Sequence, residues 1–165
     1  MKIALVNTNR MLPPIAPIGL DYVAEALNAA GHRIELLDLC WEEDSGAAIR
    51  RFLSGSDFGL VGMTLRNTDD CVYTSRQSFV EEFIELVKTV RENSGAPIVL
   101  GGVGFSTMPE QILSQSGADY GVWGDGEFVL PDLADRMERG ESVFDLPNLI
   151  LPRNGARHRN PPLTR

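Results

Sequence analysis

The chain has 165 residues, 43% of them apolar, and a formal net charge of −8. That length suits one domain with a single core, and no stretch approaches the roughly 20 apolar residues of a membrane span. The acidic balance argues against nucleic-acid binding by the main body, which would need Lys and Arg clustered against phosphates.

The first residues, Met1-Lys2-Ile3-Ala4-Leu5-Val6, are apolar like the start of a secretory leader, but Asn7, Thr8, Asn9 and Arg10 end the run at once. The segment reads as a strand, Lys2–Asn7, and the expected location is the cytoplasm. Leu20, Val23, Ala24, Leu27 and Ala30 then recur at helical spacing, closed by Gly31. Arg33–Asp38 is the second strand, 47–53 a short helix, and 59–65 the third strand. Val80, Phe83, Ile84, Val87 and Val90 stripe the longest helix. A fourth strand at 97–101 leads to a helix over 109–115, with Thr107 as its predicted N-cap. A fifth strand covers 120–123, and Leu130, Leu133, Ala134 and Met137 mark the last helix, ended by Gly140.

Short, continuously apolar strands alternating with helices predict a parallel sheet buried on both faces. The expected fold class is α/β, a flavodoxin-like (Rossmann-type) three-layer sandwich with a five-stranded parallel sheet of order 2-1-3-4-5. Residues 1–146 form that domain. Residues 147–165 read as a small hairpin, turning at Asn154-Gly155, and then as a linker through Asn160-Pro161-Pro162. From Arg153 on, Arg153, Arg157, His158, Arg159 and Arg165 meet no acidic residue. A solvated linker explains that tail better than an RNA patch.

In an open parallel sheet, ligands bind beyond the carboxyl ends of the strands, at the switch in strand order. The unusual residues collect in the loops at that edge: 8–19 after the first strand, 64–70 after the third, 101–107 after the fourth and 124–127 after the fifth. Gly101, Gly102 and Gly104 directly follow a buried strand, and Gly124-x-Gly126 follows the next. Such glycines serve either a tight turn or the approach of a ligand to the main chain. Several ligands are excluded. A dinucleotide fingerprint would place GxGxxG after the first strand, where Pro13, Pro14 and Pro17 stand instead. Met11-Leu12-Pro13-Pro14 lacks the hydroxyls of a flavin phosphate loop. Asn7, Thr8 and Thr64 replace the carboxylates of a phospho-acceptor, and no GxSxG elbow is present. Cys40 and Cys71 have no metal-ligand spacing, so these two thiols cannot hold an iron–sulfur cluster by themselves.

The motifs then align with a known family. Pro17-x-Gly19-Leu20 with Ala24, Leu27 and Gly31-His32, then Gly62-Met63-Thr64, Val99-Leu100-Gly101-Gly102 with Pro109-Glu110, Ala118-Asp119-Tyr120 and Gly124-Asp125-Gly126-Glu127 resemble the cobalamin-binding domain of cobalamin-dependent radical S-adenosylmethionine enzymes. In that family the last motif often reads GEGE, from which Asp125 departs. The resemblance covers residues 1 to 155. It implies a cobalamin whose nucleotide tail enters the sheet edge and whose corrin ring lies over the loops. It implies cofactor contacts from Thr8, Pro17, Gly19, Thr64, Leu65, Arg66, Asn67, Gly101, Gly102, Val103, Gly104, Phe105, Gly124, Gly126 and Glu127. It also implies a downstream radical S-adenosylmethionine domain, expected to carry CxxxCxxC, S-adenosylmethionine and a 4Fe–4S cluster, in a parent enzyme that is a methyltransferase or a related catalyst. This fragment alone is expected to catalyse nothing, and no membrane or nucleic acid is an expected partner.

One departure concerns the metal. Methionine-synthase-like domains carry DxHxxG after the first strand, but this loop has no histidine; His32 belongs to the opposite edge and His158 to the tail. Cobalt is therefore expected without a protein histidine, and the inserted tail that the resemblance implies would leave the cofactor's own base displaced. Individual roles stay open. Arg66 and Asn67 suit corrin amides, the cofactor phosphate, or a plain surface loop. Glu127 suits the cofactor tail or a helix N-terminus, and Trp123 and Phe105 suit the ring system or the core. Asp69 and Asp70 read as caps of the following helix. Two other functions fit the same fold: a docking module that has lost cobalamin, and a standalone corrinoid carrier.

Overall fold

The computed structural model describes residues 1–75, 77–153 and 156–164. In chain order the elements are β1 (Lys2–Asn7), α1 (Ile18–Ala29), β2 (Arg33–Asp38), a 3₁₀ turn (Leu39–Trp41), α2 (Ser45–Ser54), β3 (Leu60–Thr64), α3 (Val80–Asn93), β4 (Ile98–Gly101), α4 (Val103–Thr107), α5 (Pro109–Ser116), β5 (Tyr120–Val122), α6 (Gly126–Arg139), β6 (Leu149–Arg153) and β7 (Ala156–Arg159). Among them no helix is long and apolar enough to cross a membrane.

Strands β2, β1, β3, β4 and β5 are parallel neighbours in that order. Side chains alternate along each strand. Ala4 and Val6 therefore enter a core with Leu53, Phe83, Val87 and Ile112 of α2, α3 and α5. Ile3 and Leu5 enter the opposite core with Val23, Leu27, Val129 and Leu133 of α1 and α6. With both faces covered, both registers must be apolar, which is why the strands read as unbroken hydrophobic runs.

The expected five-stranded sheet is corrected to seven, in the order β2-β1-β3-β4-β5-β6-β7. The hairpin after Pro147 joins the same sheet, β6 running antiparallel to β5 and β7 antiparallel to β6. The reason is physical. Strand β5 has three residues, and as an edge it would leave unpaired backbone groups beside a buried core. Leu149, Ile150 and Leu151 are all buried, so their run needs cover on both sides.

The basic tail is tied down, which corrects its reading as a solvated linker. Arg157 Nη2 donates to the carbonyls of Leu113 and Ala118 at 3.4 and 3.2 Å. The Arg159 guanidinium stacks 3.8 Å from the Trp123 ring centre and pairs with Glu110 at 3.3 Å. Buried Asn160 donates to the Phe144 and Leu146 carbonyls, and the Leu163 N–H donates to Asn148 Oδ1 at 2.6 Å. The expected Asn154-Gly155 turn and Arg165 lie outside the described residues.

Candidate functional site

The four loops singled out in the sequence meet at the carboxyl edge of the sheet and enclose two cavities, one on each face. The larger, about 660 Å³, lies on the α1/α6 face. Its floor is Leu5, Val99 and Val122 from the underlying core. Pro17, Gly19, Thr64, Arg66, Gly101, Gly102, Val103, Gly124, Gly126 and Glu127 line it. The smaller, about 450 Å³, lies on the α2/α3 face, over Leu65, Phe83 and Leu86, and takes in Thr8, Leu65, Arg66 and Asn67. Arg66 borders both. Gly104 and Phe105 line neither. Both are buried, and Phe105 is wholly enclosed, so of the two roles left open for Phe105 the structure selects the core. Trp123 is half-buried under Arg159 and packs on the α2/α3/α5 core.

Most glycines here are demanded by the protein itself. Gly102 has φ +101°, and a Cβ there would stand 2.5 Å from the Leu65 carbonyl oxygen and from Thr64 Oγ1. A Cβ on Gly104 would stand 2.9 Å from the Asn67 backbone, and one on Gly121 2.5 Å from the Phe105 ring. Gly19 differs: a Cβ would meet nothing within 4 Å, although the residue borders the larger cavity. Gly19 is exposed, so a side chain there would project into open space at the rim of the cavity.

The cavity also meets two helix starts. Helices α1 and α6 begin at its rim with Pro17 and Asp125 as N-caps, and neither cap supplies a side-chain hydrogen bond. In α1 the Ile18 and Leu20 N–H groups are taken by the Ala16 and Pro17 carbonyls at 2.9 and 2.7 Å, so what the two helix starts offer a polar or anionic group is the positive end of each helix. Ser106, which the sequence reading missed, joins two loops: its hydroxyl donates to the Gly102 carbonyl at 2.9 Å and accepts the Gly124 N–H at 3.0 Å. Asn7, also missed, is buried at the end of β1. Its Nδ2 donates to Asp38 Oδ1 at 2.8 Å and its Oδ1 accepts the Asn9 N–H at 3.2 Å. A polar residue closing an apolar strand was the available signal. The Thr8 hydroxyl donates to the Thr64 carbonyl at 2.7 Å, tying the ends of β1 and β3 together.

Two capping assignments are corrected. Asp69 Oδ1 and Asp70 Oδ1 accept the N–H groups of Cys71 and Val72 within their own loop, and α3 starts only at Val80, with no side-chain cap from Phe79. The Ser75 hydroxyl, with the Val72 N–H, holds the Asp70 carboxyl below its ordinary range. Thr107 does not cap α5; it lies within α4 and its hydroxyl donates to the Gly104 carbonyl at 2.7 Å. His32 is at the far edge, beside the start of β2, with Nε2 3.2 Å from Asp135 Oδ1; His158 is exposed on β7.

Comparison with known proteins is consistent with this geometry. Residues 5–134 match the family described as the B12 binding domain. The chain is 38% identical over 154 residues to tryptophan 2-C-methyltransferase of Streptomyces laurentii, covering 92% of this chain and 26% of that protein. It is 28% identical over 139 residues to the hopanoid C-3 methylase of Methylococcus capsulatus, covering 82% and 25%. The radical S-adenosylmethionine methyltransferase TsrM from Kitasatospora setae, solved with cobalamin and an iron–sulfur cluster bound, superposes with a TM-score of 0.93 at 36% identity, over 99% of this chain and 29% of TsrM. The chain thus spans about a quarter of the length of these relatives.

Proposed function

Because the chain belongs to the B12 binding domain family, we propose that it is the cobalamin-holding module of a radical S-adenosylmethionine methyltransferase, with the nucleotide tail of the cofactor in the larger cavity and no histidine on cobalt. The observation that carries this is the glycine-walled cavity of about 660 Å³ over an apolar floor, opening at the strand ends. Its size and lining suit a flat aromatic base, and the open space beside Gly19 leaves the cavity accessible to one. The positive ends of α1 and α6, which begin at the rim of the cavity, would favour the phosphate of the tail.

When bound, cobalamin supplies a cobalt centre able to carry a methyl group. The chain's own residues bind and orient it. Pro17, Gly19, Thr64, Gly101, Gly102, Gly124, Gly126 and Glu127 would enclose the tail, and Thr8, Leu65, Arg66, Asn67 and Val103 would support the ring. The module takes in the β6–β7 hairpin that completes its sheet, and the chain beyond it would lead toward a domain holding S-adenosylmethionine and the 4Fe–4S cluster. Cys40 and Cys71 are free thiols, which fits a reducing cytoplasm. The substrate of the parent enzyme would be met in that further domain.

The test is a titration with hydroxocobalamin, followed by absorbance after gel filtration. The parent should retain the cofactor. Gly19→Leu, which puts a side chain into the open space at the cavity rim, should weaken retention by at least about tenfold, or about 1.4 kcal/mol. A folded parent that retains nothing would leave the docking-module reading in its place.

A further inference from the structure

The residues that match the B12 binding domain family end at 134, yet a residue beyond them is tied to the wall of the larger cavity. Asn148 stands just before β6, 8% exposed, with φ +58°. Its four polar groups all have partners, and these come from two segments. On one side is the end of β5. The Asn148 carbonyl accepts the Trp123 N–H at 3.1 Å, and Nδ2 donates to the Trp123 carbonyl at 2.8 Å. On the other is the chain after β7. The Asn148 N–H donates to the Pro161 carbonyl at 3.0 Å, and Oδ1 accepts the Leu163 N–H at 2.6 Å. Gly124 follows Trp123 and opens the stretch 124–127 that lines the larger cavity; a Cβ on it would stand 3.1 Å from Asn148 Nδ2.

The left-handed backbone alone does not account for this residue. Glycine adopts such a φ freely, but asparagine also brings a donor and an acceptor on one carboxamide. A backbone N–H only donates and a carbonyl only accepts, so Leu163 and Trp123 fix which end of the carboxamide faces which segment. Buried bonds of this kind are costly to leave unmade. From the other side, the Ser106 hydroxyl accepts the Gly124 N–H at 3.0 Å. Gly124 is thus held between the loop after β4 and the hairpin. We propose that Asn148 is a positioning residue for the cofactor: its carboxamide, steadied by the 161–163 segment, holds the turn at Trp123 and Gly124, and with it the 124–127 wall, against the nucleotide tail. The inference rests on the reading of the larger cavity as the seat of that tail. Asn148 does not itself line the cavity, so it acts through the turn. The chain leaving β7 is then coupled to the cofactor through one side chain.

The experiment titrates the full chain and two variants with hydroxocobalamin and with cobinamide, a corrinoid that keeps the ring but lacks the tail. Asn148→Gly keeps the backbone conformation and deletes the carboxamide. Leu163→Pro deletes the N–H that steadies Oδ1, at a residue 43% exposed. Asn148→Gly should weaken hydroxocobalamin binding by at least about fivefold, the worth of one hydrogen bond, and leave cobinamide within about twofold of the parent. Leu163→Pro should show the same selectivity, with a loss of at least about twofold for hydroxocobalamin. Equal weakening of both corrinoids would mark Asn148 as merely structural and overturn the proposal, as would unchanged hydroxocobalamin affinity in folded Asn148→Gly. If Asn148→Gly does not fold, Leu163→Pro decides on the same two outcomes. A parent that holds the two corrinoids equally would strike the tail reading itself and leave Asn148 nothing to position.

Discussion

Gly102 and Gly19 show how differently two glycines in one site behave. At Gly102 a side chain would be strained by φ +101° and would stand 2.5 Å from the Leu65 carbonyl oxygen. Gly102→Ala should therefore lower stability by about 1–3 kcal/mol, read as a fall in Tm of the protein without cofactor. An unchanged Tm would show that the two loops can separate at no cost. Gly19 has open space around it, so Gly19→Leu should leave stability within about 0.5 kcal/mol of the parent while impairing retention. The sequence presented both as glycines suited to a ligand. Their separation depends on the approach of the loop after β3 to the loop after β4, a contact between distant residues that no local pattern encodes. The same holds for Phe105, whose burial depends on Gly121 opening space from another strand. The loops that form the site were legible in the sequence because they follow the strand ends; the division of labour among their glycines was not.

At the scale of elements, the five βα units could be read from hydrophobic runs and helical spacing, because a sheet covered on both faces forces that pattern. The hairpin was visible too, but its docking was not. Nothing local in Leu149-Ile150-Leu151 says which edge it covers, and the anchoring arginines look like any solvated basic tail until Trp123 and the end of α5 are seen beside them. A chain ending at Pro147 loses three buried aliphatic side chains, each worth about 1.5–3 kcal/mol, and exposes the edge of β5. It should aggregate or melt without cooperativity; a monomeric truncation with the parent Tm would mean that β6 and β7 are dispensable. Arg159→Ala should cost about 1 kcal/mol through the lost stacking, read in Tm, and an unchanged melt would show the Trp123 contact to be idle. A further tie joins α6 to the segment before β6, where Arg136 lies 2.6 Å from Asp145 and also donates to the Ser142 carbonyl. The guanidinium of Arg136 holds the Asp145 carboxyl below its ordinary value of 3.8. A carboxylate with a lowered folded pKa adds stability above its unfolded value, and that stability is lost as pH falls through the folded one. The parent should thus lose Tm below about pH 4 more steeply than Asp145→Asn; parallel curves would remove this pair from the acid response.

Across the whole molecule, the two ends of the sheet have separate chemistry. The carboxyl edge gathers glycines, helix starts and both cavities, while His32 lies at the opposite edge against Asp135. His158 is on the outer strand β7. Neither histidine belongs to the loops that would face the lower side of a bound ring. The central claim is a cobalamin held by its tail, with its own base displaced and no protein imidazole in its place. Electron paramagnetic resonance of the cobalt(II) form bound to the chain tests it most directly, because an axial nitrogen adds hyperfine splitting that water or an empty position does not. The bound cofactor should give a spectrum without that splitting. Nitrogen splitting that vanishes in His32→Ala or His158→Ala would contradict the absence of a protein ligand, and splitting that persists in both would contradict the displaced base.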